Sequence, residues 1–142
     1  MRTLAILLIT GATLAQAQTP PAVRPTAPAS KAPMRNVGTM SELMVKILYP
    51  SSDALFYIET RTPTTDSEWT VLEGQALMLA ESANLLMMPG RARDQTQWMD
   101  DSKLLLDAGA AALMAAKAKD VPAIVALSDQ LYESCTSCHT HY

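Results

Sequence analysis

Between Trp69 and Leu86 the residues Trp69, Leu72, Ala76, Leu79, Ala83 and Leu86 recur at alternating steps of three and four. An α-helix turns once in about 3.6 residues, so this spacing puts all of them on one stripe. The segment carries its own start and stop signals. Thr65 and Glu68 form a capping-box pair, whose hydroxyl and carboxylate accept from the free amide hydrogens of a first turn. Pro89-Gly90 closes the run. A helix with one apolar stripe is marginal alone in water, and tertiary packing has to cover the stripe. The seam therefore commits this chain to helix-on-helix packing of bundle type.

The rest of the chain reads the same way. Strict apolar–polar alternation is missing and helical spacing recurs, so the class is all-α. Phe occurs once and Trp twice in 142 residues, so the core has to come from Ala, Leu and Met. A first helix, A, starts near Gly38 or Thr39, with Val37, Met40, Met44 and Ile47 in its stripe and Leu43 and Leu48 widening it. Pro50 makes it kink or restart. Ala54, Leu55 and Ile58 resume the apolar face, and Thr62-Pro63-Thr64 ends it. The capped seam is helix B. Helix C runs from about Asp94 to Lys119 and includes an alanine-rich stretch from Ala108 to Ala118, which favours helix and allows close approach. Helix D begins at Asp120 as N-cap, with Pro122 in its first turn. Its stripe holds Ile124, Leu127 or Ser128, Leu131, Cys135, Cys138 and Tyr142. Short connections predict an antiparallel up-down-up-down four-helix bundle over residues 37–142.

Cys135-Thr136-Ser137-Cys138-His139 is a Cys-x-x-Cys-His run, the attachment sequence of covalent c-type haem. The two thiols, one turn apart, form thioethers with the haem vinyl groups, and the adjacent His supplies a proximal iron ligand. Other uses of these residues fit less well. A structural zinc site takes four ligands, and this chain has only two Cys. A redox dithiol usually opens a helix after a strand, and no strand pattern precedes this one. A disulfide would close a very short loop and constrain little of the unfolded chain. The expectation is one covalent haem c, carried by the last helix and pointing into the bundle.

Residues 1–17 read as a secretory leader. Arg2 gives the positive start, Leu4 to Leu14 the apolar stretch, and Ala15-Gln16-Ala17 a small-x-small cleavage site. The stretch is shorter than the ~20 residues a membrane span requires, so cleavage after Ala17 and export to the periplasm are expected, with no membrane span in the mature chain. Residues 18–36 hold Pro20, Pro21, Pro25, Pro28 and Pro33 and read as a flexible linker. Loss of Arg2 with the leader makes the net charge one unit more negative than the chain's −3. No basic stripe offers a nucleic-acid surface. Neither a carboxylate pair nor a nucleophile–base pattern suggests an enzyme.

A four-helix pattern with Cys135, Cys138 and His139 at its far end resembles the class II c-type cytochromes, the cytochrome c′ family. The resemblance covers residues 37–142. It implies electron transfer with an unidentified redox partner protein when a Met from helix A binds the iron, or binding of nitric oxide or carbon monoxide when the distal face is open. Ser41-Glu42-Leu43-Met44 resembles the stretch that supplies that Met, which makes Met44 the distal ligand by resemblance and Met40 the alternate. The resemblance also implies a homodimer through helices A and B. Pro50 departs from the family pattern. Arg91 and Arg93 are candidates for pairing with haem propionates, Trp69 and Trp98 for walling the pocket, and His141 reads as a surface residue.

Overall fold

Thr39 and Glu42 form a second capping box, in the same Thr-x-x-Glu pattern as the first. The Thr39 hydroxyl accepts the Glu42 amide hydrogen at 3.1 Å, and Glu42 Oε2 accepts from the Thr39 amide at 3.0 Å. This pair opens the first helix in a computed structural model that describes residues 34–142. The leader and nearly all of the proline-rich linker lie outside the described residues.

Helix α1 (Met40–Leu43) runs into a π-helical turn (Met44–Leu48) and then α2 (Tyr49–Phe56). Pro50 explains the π turn. Proline has no amide hydrogen for the carbonyl four residues back, and its ring crowds that carbonyl. Here the Tyr49 amide instead donates to the Met44 carbonyl, five residues back. Pro50 then falls in the first turn of α2, where a missing donor costs least. The expected restart is thus a π turn, with one residue more than an α turn. The stripe differs from the sequence expectation at its start. Val37 is 87% exposed, and Leu43, expected only to widen the stripe, is its buried centre. Val37 precedes the Thr39 cap, so no helical period governs where it points.

Helix α3 (Asp66–Leu86) matches the seam residue for residue. Trp69, Leu72, Ala76, Leu79, Ala83 and Leu86 are all buried. The Thr65–Glu68 capping box is formed. Gly90 has φ of 83° and turns the chain in the left-handed region that glycine tolerates. Helix α4 (Gln97–Lys117) starts later than expected, because Asp94 sits ahead of it. The Asp94 carboxylate accepts from the backbone amides of Thr96 at 2.8 Å and Trp98 at 3.1 Å.

Helix D is two helices, α5 (Val121–Ala126) and α6 (Ser128–His141). This corrects the single continuous helix read from the sequence. The Leu127 amide reaches the Ile124 carbonyl, three residues back, and this tightened turn ends α5. The stripe survives the break, with Ile124, Leu131 and Cys138 buried. Asp120 caps α5 as expected, its carboxylate accepting from the Ala123 amide at 2.9 Å.

Among the described residues every regular element is a helix, in a packing compatible with a helical bundle. Helix α4 is the shared wall and packs against both α3 and α6, while α2 covers α3. The approach of α3 to α4 is closest at Gly109. A Cβ there would lie 2.8 Å from the backbone N and Cα of Ala80. Helix α4 buries Ala108, Ala112, Ala115 and Ala116 on the same side. Gly109→Ala is expected to destabilise the domain by about 1–3 kcal/mol, since two backbones have to separate. Gly74→Ala, where no atom lies within 4 Å of the added Cβ, should instead be neutral or stabilising by up to about 1 kcal/mol. Urea unfolding of the two variants checks the contrast. Among the described residues no helix is long and apolar enough to cross a membrane.

Candidate functional site

The inner face of α6 carries Leu131, Ser134, Cys135 and Cys138 in succession. Leu131 and Ser134 are buried, Cys138 is buried and Cys135 half-buried. Neither thiol is in a disulfide. Burial pushes both thiols above their ordinary pKa; for Cys138 the negative charge of Asp101 adds to it. A zinc thiolate or an activated redox dithiol needs the opposite shift. Among the described residues no group of three or more His, Cys, Asp and Glu side chains converges to hold a metal ion.

These thiols face a cavity of about 320 Å³, at the small end of the ~300–1,000 Å³ usual for ligand pockets. Its floor on α6 is Ser134, Cys135, Cys138 and His139. Leu79 and Leu86 of α3 and Leu105 of α4 supply apolar wall. Met44, Val45, Leu48 and Tyr49, from the π turn and the start of α2, close another side. Four of the residues that the sequence linked to a haem, Cys135, Cys138, His139 and Met44, therefore line one cavity. Met40 does not; it lines a separate groove with Gly38 and Arg91. His139 is exposed as well as lining the cavity, so it stands at the rim.

Ser52 of α2 and two polar residues of α4 complete the lining, and sequence reasoning missed all three. Asp101 and Ser102 are each 1% exposed. Asp101 Oδ1 accepts from Ser137 Oγ at 2.6 Å and from Gln97 Nε2 at 2.9 Å. Its Oδ2 lies 3.2 Å from His141 Nδ1. Burial pushes this carboxyl up, but the hydrogen bonds from Ser137, Gln97 and His141 outweigh it and hold the group below its ordinary pKa. Ser102 Oγ is buried with no partner. An unsatisfied buried hydroxyl costs about 1–3 kcal/mol. For the α4 pair the signal was present in the sequence. Trp98, Leu105, Ala108 and Ala112 set the α4 stripe, and Asp101-Ser102 interrupts it at the same phase.

The other candidates fall elsewhere. Arg91 donates through Nη2 to the Gly38 carbonyl at 3.2 Å and through Nη1 to the Leu85 carbonyl at 3.4 Å. It ties the end of α3 to the segment before α1 and does not line the cavity. Arg93 is exposed and lines the groove beside Arg91. Trp69 and Trp98 are buried off the cavity; Trp98 Nε1 donates to the Leu86 carbonyl at 2.9 Å. His141 is 44% exposed at its side chain, but it is docked on Asp101 and is more than a surface residue.

The residues present fit a covalently held haem. Two thiols one turn apart face an apolar cavity, a His follows them at the rim, and a thioether stands on a second helix. Comparison with family models, curated proteins and solved structures gave no match.

Proposed function

We propose that the chain is an exported c-type cytochrome, an electron carrier of the class II type, in which α1–α2, α3, α4 and α5–α6 form an antiparallel up-down-up-down bundle. One observation carries the reading: Cys135, Cys138, His139 and Met44, from helices far apart in sequence, line a single cavity. A haem bound there supplies a one-electron iron couple. Cys135 and Cys138 would hold it through thioether bonds. His139 would supply a nitrogen ligand to the iron. Met44 would supply a sulfur ligand, which would favour the ferrous state relative to a second nitrogen. Leu48, Leu79, Leu86 and Leu105 would keep water from it.

This function is transfer of an electron to a partner protein, with no bond made or broken in a substrate. The mildly acidic surface suits a partner that presents a basic patch. Pairing of two copies through the first two helices is part of the same reading.

Expression with a c-type maturation system tests it. The purified protein should carry one haem that stays on the polypeptide through acid-acetone extraction. A colourless protein, or haem recovered wholly in the solvent layer, sinks the proposal.

A further inference from the structure

Helix α4 places one carboxylate inside the domain. Buried carboxylates persist only where hydrogen-bond donors replace their water. Asp101 has three such partners. Gln97 is on its own helix, but Ser137 and His141 come from the last turn of α6. They lie four residues apart, on one face of that turn, with His139 between them in sequence. Tyr142 extends the grip. Its hydroxyl bonds to Asp94, and its ring meets Trp98 edge-on, with centroids 5.0 Å apart. Helix ends fray because their last carbonyls have no partner within the helix. Here the end of α6 is fastened to the start of α4 by side chains instead. Asp101 also lines the cavity on which the thiols open.

We propose that Asp101 is a positioning residue of the haem site: through Ser137 and His141 it holds the Cys-x-x-Cys-His turn against α4, and it sets a fixed negative charge on the cavity wall. The inference rests on the haem reading above. A negative charge beside an iron couple favours the ferric state, which carries one more positive charge than the ferrous. The clasp and the charge are separable. Asp101→Asn keeps an oxygen for Ser137 and Gln97 but removes the charge. Asp101→Ala removes both, and Ser137→Ala removes one bond of the clasp alone.

The experiment uses the full-length holoprotein, with covalent haem verified by intact mass. Two quantities are read, the midpoint potential at fixed pH and the hydrogen exchange of backbone amides in the last turn of α6. Asp101→Asn should raise the potential by about 60 mV, a tenfold shift in a one-electron equilibrium. Ser137→Ala should speed exchange of the last-turn amides about fivefold, the worth of one hydrogen bond. Ser137→Thr, which keeps the hydroxyl, should restore protection. Asp101→Ala should do both, and where it fails to fold the Ser137 pair still decides. An unchanged potential in Asp101→Asn overturns the charge assignment, and unchanged exchange in Ser137→Ala overturns the clasp; either result sinks the proposal. A wild-type protein whose mass lacks haem overturns the haem reading and the charge assignment with it. The exchange arm on that protein then decides the clasp on its own.

Discussion

Replacing Cys135 and Cys138 together by Ala is expected to abolish covalent haem. The two thiols supply the only attachment chemistry at this cavity, since no other Cys exists in the chain. Any pigment left on the variant should pass into the solvent layer on acid-acetone extraction, whereas wild-type pigment stays with the polypeptide. The single variants grade the effect. Cys138 sits next to His139 in the sequence. Cys138→Ala should therefore leave a loosely held haem on one thioether, and Cys135→Ala a single thioether beside an intact His139. The helices themselves should survive. A small side chain at Cys138 loses part of the burial that Leu131 and Ile124 retain, a change worth about 1–2 kcal/mol for removal of a single sulfur from a partly formed cavity. Far-ultraviolet circular dichroism of the double variant should keep its helical signal. Retained covalent haem in the double variant would end the thioether reading, whatever the fold.

Local signals in the sequence carried over well to the structure. The α3 seam is a period within one segment, with a cap at one end and a proline–glycine stop at the other, and each of its six apolar positions is buried. The alanine-rich part of α4 was legible for the same reason, and Gly109 against Ala80 shows its use: closeness of two helices. What did not carry over is where the helical period itself changes. The π turn at Met44–Leu48 follows from Pro50, but whether a proline kinks, breaks or underwinds a helix depends on what the freed carbonyls meet. The overwound turn at Leu127 has no comparable residue to announce it. The Asp101 clasp was invisible for a different reason. Its partners stand 36 and 40 residues away, and a single sequence does not display pairings at that range. The trace it left was a polar pair inside an apolar stripe, which a close reading of α4 could have singled out.

On the proposed haem reading, Met44→Ala is expected to convert a six-coordinate, low-spin iron into one with an open distal position. Met44 and Leu48, four residues apart, both line the cavity, while Met40 lines a separate groove. A thioether on three rotatable bonds adapts to such a site better than a branched side chain does. Loss of its sulfur removes the ligand that favours ferrous iron, so the midpoint potential should fall by about 60 mV or more, at least a tenfold shift in the one-electron equilibrium. The visible spectrum should turn high-spin, and carbon monoxide should bind the reduced variant rapidly where it binds the wild type slowly. Haem should remain attached, because Cys135 and Cys138 are untouched. Met40→Ala should leave both spectrum and potential nearly as in the wild type, since Met40 lines a different groove beside Arg91. If the two variants exchange behaviours, the iron draws its ligand from α1 and the cavity closes differently once filled. A wild-type protein that is already high-spin and binds carbon monoxide at once would move the function from electron transfer to gas binding, with Met44 acting as packing over an open face.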